Sequence, residues 1–149
     1  MRAVVQRVSR AEVRVGDEVV GRIAHGLLVY AGVSAEDSPD DAVFLADKIR
    51  HLRIFSDQQG KLNLDVLQAG AAVLVISNFT LLADARKGRR PEFTRAASPE
   101  AAKTLYELLC ENLATAGIPV QRGRFREMME VEAVNSGPIN ILLDSKRLF

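Results

Sequence analysis

The sequence predicts an α+β domain in which a mainly antiparallel β-sheet carries two long helices. Extended segments come in runs, with short turns between them, in the first third and again near the end of the chain. Only two stretches join a helix-start signal to a sustained apolar stripe, and no regular strand–helix alternation is present. A chain of 149 residues with 48% hydrophobic content can bury one core, so residues 1–149 read as a single domain.

The elements follow in order. Ala3 to Val8, Ala11 to Val15, Val19 to Ile23 and Leu27 to Val33 form a strand meander, turned at Gly16-Asp17 and near Gly26. Ser38-Pro39-Asp40-Asp41 then supplies an N-cap, a proline at the first helical position and acidic first-turn residues. Leu45, Ile49 and Leu52 keep that helix's stripe, and Asp40 and Asp41 fit helix-terminus charges better than a metal pair. Arg53-Ile54-Phe55 is extended, and Ser56 to Gly60 turns into Lys61-Leu62-Asn63-Leu64. Asp57 and Gly60 lack the other ligand positions of a calcium loop. Ser98-Pro99-Glu100 opens the longest helix, with Leu105, Leu108, Leu109 and Leu113 inward and Gly117 and Pro119 ending it. Strands return at Val120 to Arg122, Met128 to Val134 and Ile139 to Leu143. Glu130 and Glu132 share one face of their strand and read as solvated.

Composition removes several chemistries. A single cysteine, Cys110, lies in the helical stripe and reads as a buried structural thiol. Two histidines, His25 in a turn and His51 at a helix end, are poorly placed to serve a serine triad. No phosphate-binding glycine loop, His-Glu-x-x-His helix or Cys-x-x-Cys pair occurs, so no metal or cofactor is expected. The N-terminus breaks its first apolar stretch with Arg2 and Arg7, and no apolar segment is long enough to span a bilayer, which reads as a cytoplasmic protein without a membrane partner.

Two segments stand out. Val73-Leu74-Val75-Ile76 reads as a strand covered on both faces, and it breaks abruptly into Ser77-Asn78-Phe79-Thr80-Leu81. Such a turn can aim backbone N–H groups at developing negative charge while its hydroxyls orient water or substrate. Ser77 lacks the Gly-x-Ser-x-Gly elbow of a nucleophile. The other segment is Asn135-Ser136-Gly137-Pro138-Ile139-Asn140, a Gly-Pro turn between two strands. Close to the first lies Arg86-Lys87-Gly88-Arg89-Arg90, a basic loop readable as solvated or as a contact surface for nucleic-acid phosphates.

Together with Gln6-Arg7-Val8, Gly26-Leu27-Leu28-Val29, Arg53-Ile54-Phe55-Ser56-Asp57, Gly60-Lys61-Leu62-Asn63, Arg90-Pro91, Gly123-Arg124-Phe125 and Val134 to Pro138, these segments make a chain that resembles the D-aminoacyl-tRNA deacylases over nearly its whole length. The resemblance implies that family's fold, partly barrel-like, and a metal-free homodimer. It implies hydrolysis of the ester of D-aminoacyl-tRNA, and of glycyl-tRNA, in a site at the subunit interface. It assigns catalysis to Ser77, Asn78, Phe79 and Thr80. Gly137 and Pro138 fall to chiral selection, through a cis bond that enters the partner subunit's pocket, with Arg7 as a brace. From sequence alone the X-Pro bond is expected trans. The family usually has Gln at Asn78 and Thr at Asn140. A non-catalytic RNA-binding module using Arg86 to Arg90 and a metal-free esterase for small esters are the competing readings.

Overall fold

One long strand organises the sheet. The computed structural model describes residues 1–149, and its chain order is β1 (Arg2–Val15), β2 (Glu18–Ile23), β3 (Gly26–Gly32), α1 (Pro39–His51), β4 (Phe55–Ser56), β5 (Leu62–Leu64), β6 (Ala72–Ser77), a 3-10 turn (Phe79–Leu82), α2 (Pro99–Thr115), β7 (Val120–Arg122) and β8 (Glu130–Asp144). One edge of β1 is divided between β3, paired along Arg2 to Val8, and β2, paired along Ala11 to Val15. The opposite edge carries β8, paired from Arg2↔Asp144 to Arg14↔Glu130. The two expected strands at Ala3–Val8 and Ala11–Val15 are thus one element, because the ladder to β8 continues through Arg10↔Val134. Likewise the expected strands Met128–Val134 and Ile139–Leu143 merge into the single strand β8, which begins only at Glu130, with Met128 and Met129 in the loop before it.

Antiparallel pairing dominates, but β3, β6 and β7 run parallel side by side in the order β2-β1-β3-β6-β7. Their carboxyl ends therefore open at one edge of the molecule. The sheet also curls: Val13 and Ile23, from β1 and β2, share a small apolar cluster with Leu74 and Ile76 of β6, which a flat sheet would hold apart. On the other face Val73 and Val75 join Leu45, Ile49, Leu109 and Leu113 of the helices in the larger core. Strand β6 alternates between the two layers, and its four residues Val73 to Ile76 are all buried. That is the covered strand its composition predicted.

The helix boundaries follow their caps. Ser38 and Asp41 form a capping box at α1, while Ser98 accepts from the Ala101 N–H at α2. Asp41 does more than cap: Oδ2 accepts from the Ser38 N–H at 2.8 Å and from Lys146 Nζ at 2.9 Å, so α1 is tied to the end of β8. Burial alone would raise its pKa, but the hydrogen bonds from Lys146, Ser145 and Ser38 outweigh it and hold the carboxyl well below the ordinary value of 3.8. A depressed carboxylate contributes stability in full above its unfolded pKa, and that contribution is lost as pH falls below about 3.8. Asp41→Asn is accordingly expected to cost roughly 1–3 kcal/mol at pH 7. In urea unfolding, the gap between wild type and variant should narrow towards pH 3; a constant gap contradicts the assignment.

Candidate active site

Beyond the carboxyl ends of β3, β6 and β7 lies a cavity of about 730 Å³. Its wall takes Ala31 from β3 and Val33 just beyond it, Ile76 and Ser77 from β6, the turn Asn78-Phe79-Thr80, Tyr106 from α2 and the loop Phe125 to Met129 after β7. This volume lies within the range of small-molecule sites, roughly 300–1,000 Å³. A cleft beside Met1, Asp37 and Asp144 encloses only about 20 Å³. It is too small for a substrate.

Asn78 builds the turn. Its N–H donates to the Ala31 carbonyl at 2.8 Å, extending the β3–β6 pairing by one bond, and its side-chain Oδ1 accepts from the Thr80 N–H at 3.0 Å and from the Thr80 hydroxyl. The side chain is therefore the N-cap of the 3-10 turn. Two consequences follow for the expected donors. The Thr80 N–H is committed to Asn78, and the Thr80 hydroxyl keeps its oxygen as an acceptor. Phe79 holds the first position of the turn, whose N–H has no acceptor within the turn. It is the donor that the turn itself leaves unused.

The strand beneath is held by a residue the sequence reading placed in no site. Tyr106 is hidden in the apolar stripe of α2, yet its hydroxyl donates to the Val75 carbonyl at 2.9 Å, which also accepts from the Gly123 N–H at 2.9 Å. One carbonyl thus ties α2, β6 and the loop after β7. Burial raises the Tyr106 phenol well above its ordinary value, so it stays a donor at neutral pH. The neighbouring Cys110 is fully buried, and burial pushes its thiol up to about 11, which removes it as a nucleophile. Phe93, also unforeseen, meets Phe79 edge to face at 5.0 Å between ring centroids.

Neither histidine reaches Ser77. His25 packs edge-on to Phe55 at 5.0 Å, His51 pairs with Asp47 at 3.2 Å, and neither lines the cavity. No group of three His, Cys, Asp or Glu converges as a metal site. Glu132, read as solvated, is exposed and pairs with Arg10 at 2.7 Å.

Gly137 and Pro138 occupy a place the sequence did not predict. Between the pairs Gln6↔Asn140 and Val8↔Asn135, the single residue Arg7 of β1 faces four residues of β8, Ser136 to Ile139. The expected turn between strands is a bulge within one strand, because pairing resumes on both sides of it. Its Gly137–Pro138 peptide is cis. Arg7 Nε donates to the Ser136 carbonyl at 3.3 Å and Nη1 to the Ile54 carbonyl at 2.8 Å, bracing the bulge from below. Asn135 Nδ2 donates to the Arg7 and Ile139 carbonyls, both at 3.2 Å, and Asn140 links Asn135 to Gln6. Gly137 and Pro138 are exposed, and neither lines the cavity of its own chain. The structure therefore separates the residues expected for catalysis from those expected for chiral selection.

A third group, Arg86 to Arg90, lies in an exposed loop pinched shut by the Asp84–Glu92 bridge, just before Phe93. Arg86 is paired with Asp84, whereas Lys87, Arg89 and Arg90 are exposed. None of the four lines the cavity.

Relatives share this whole arrangement of elements. A family model described as D-Tyr-tRNA(Tyr) deacylase matches residues 4–144. The chain belongs to the D-Tyr-tRNA(Tyr) deacylase family. Within it, the D-aminoacyl-tRNA deacylase of Anaeromyxobacter dehalogenans (strain 2CP-C) is 60% identical over 149 residues, and that of Desulforudis audaxviator (strain MP104C) is 57% identical, each covering 100% of both chains. A solved structure described as c-Myc DNA Unwinding Element Binding Protein superposes with a TM-score of 0.92 at 37% identity, covering 97% of this chain and 98% of that one. The family fold thus accounts for the partly closed sheet and the two helices. No helix of this family member is long and apolar enough to cross a membrane.

Proposed function

We propose that the protein hydrolyses the ester joining a D-amino acid, or glycine, to the terminal ribose of tRNA, and that it does so in the cytoplasm without a metal. The observation that carries this reading is the cavity edge at Ser77–Thr80, where hydroxyls and one turn N–H surround a substrate-sized space with no imidazole or thiolate. Water is then the nucleophile: its oxygen bonds to the ester carbonyl carbon, the bond to the ribose oxygen breaks, and a proton passes from the water to that leaving oxygen. The neighbouring ribose 2′-hydroxyl takes the position a protein base would fill. The Phe79 N–H stabilises the oxyanion, and Ser77 and Thr80 orient water and substrate.

Selection against L substrates is assigned to the carbonyls of Gly137 and Pro138, entering the cavity of a second copy of the chain. Supporting this are the exposed bulge, its absence from its own chain's cavity, and the edge of β8 away from β1, which has no strand partner. Val134 and Leu142 on the same strand are 41% and 59% exposed, apolar area that a dimer would cover. A backbone wall rejects a side chain on the wrong face and passes glycine, which has none.

Matched D-, glycyl- and L-acylated tRNAs, each with and without a chelator, test the proposal. D and glycyl substrates are expected to turn over in both conditions, with L substrate slower by about 100-fold, the scale of a clash near 3 kcal/mol. Equal D and L rates remove the chiral role, and loss of turnover with chelator removes the metal-free mechanism. Absence of turnover on every tRNA points instead to a binding module using Arg86, Lys87, Arg89 and Arg90.

A further inference from the structure

Five consecutive residues, Phe125 to Met129, form one wall of the cavity, and Arg126 and Glu127 are its only charged residues. Arg126 combines an unusual backbone with a charge that has no partner. Its φ of 66° puts a long side chain in the left-handed region, shared among non-glycine residues of this chain only by Arg147. Its guanidinium also joins none of the ion pairs that hold Arg2, Arg10, Arg14, Arg22, Arg50, Arg86 and Arg124. Glycine would adopt this backbone freely. Residues held in sparsely populated conformations concentrate at binding sites, and here the strained residue carries an uncommitted cation at the rim of a largely apolar cavity.

We infer that Arg126 binds the phosphodiester linking the terminal nucleotide of the substrate to the one before it. The inference rests on the deacylase reading. An aminoacylated nucleoside filling the cavity is neutral apart from its ammonium group, so the first negative charge on the chain leaving the cavity is that phosphodiester. A guanidinium offers it a two-pronged contact that a lysine cannot copy. Glu127 on the same wall repels the same charge, which makes its removal a second probe. Arg86 to Arg90, outside the cavity, are left for phosphates further along the tRNA.

The test compares D-aminoacyl-tRNA with D-aminoacyl-adenosine, which keeps the ester and base but has no phosphodiester. Arg126→Gly should raise KM for the tRNA substrate by roughly fivefold more than for the nucleoside ester, and flatten the salt dependence of log KM by about 0.7 per decade, the value for one single-strand phosphate contact. Arg126→Lys should fall between, and Glu127→Gln should lower KM for tRNA. The thermal midpoint of Arg126→Gly should equal or exceed that of wild type, because the strained backbone relaxes. Equal KM changes on both substrates, an unaltered salt slope, or a lowered midpoint for Arg126→Gly each overturn the inference. If wild type hydrolyses neither substrate, the deacylase reading has failed instead, which a wild-type control reveals before any variant is made.

Discussion

Gly137→Ala should reduce discrimination between D- and L-aminoacyl-tRNA by tenfold or more, equivalent to about 1.4 kcal/mol. The backbone at Gly137 has φ of 124°, and a Cβ there would sit 2.8 Å from Ile139 Cγ1, 3.1 Å from the Ile139 nitrogen and 3.3 Å from Arg7 Nη2. The side-chain methylene of Ile139 can give way, but the backbone nitrogen cannot move without the bulge. A non-glycine residue in such a conformation costs roughly 1–3 kcal/mol, relieved by shifting the segment that carries the proposed selective carbonyls. Arg7 would move with it, losing alignment on the Ser136 carbonyl. The measurement is the D/L ratio of kcat/KM, read beside molar mass from sedimentation. An unchanged ratio in a variant with wild-type mass and midpoint removes the bulge from chiral selection.

Local chemistry made some elements readable and left others hidden. Ser38-Pro39 and Ser98-Pro99 set the starts of α1 and α2, because capping depends on residues a few positions apart. The buried run Val73 to Ile76 was legible for the same reason. Strand neighbours are not local, so nothing in β3, β6 or β7 announced their parallel pairing, and although the end of β6 was marked as a site edge, the share of β3 and β7 in the cavity beyond it was not foreseen. Gly137-Pro138 looked like a turn because punctuation by Gly and Pro is the same in a turn and in a bulge; only the resumed pairing at Val8↔Asn135 separates them. Asn78 was named without its role. The N-cap bond to Thr80 spans two residues, and an Asx cap was available as a reading from Asn-Phe-Thr. Tyr106 could not be found so easily, since its hydroxyl partner lies 31 residues away.

The position of the turn also depends on a residue outside it, and Gly32→Ala exposes the dependence. Gly32 ends β3 directly behind the site: a Cβ there would meet the Asn78 carbonyl oxygen at 2.8 Å, Leu82 Cδ2 at 2.6 Å and Leu81 Cβ at 3.1 Å. Leu82 can rotate away, but the Asn78 carbonyl is fixed backbone that accepts the Leu81 N–H. The added methyl must therefore push the 3-10 turn outward, and with it the Phe79 N–H and the Thr80 hydroxyl. Displacing a positioned group by about 1 Å can cost 100-fold in rate, while overpacking alone costs about 1–3 kcal/mol of stability. The expected result is a folded variant, destabilised within that range, whose kcat on D-aminoacyl-tRNA falls by about 100-fold. A smaller methyl-sized insult elsewhere in the core serves as the comparison: Val66→Ile, in the larger core and away from the turn, should lower the midpoint with little change in kcat. If both variants lose stability equally and both keep wild-type kcat, the turn at Asn78 does not position the reacting groups, and the catalytic assignment of Ser77 to Thr80 falls with it.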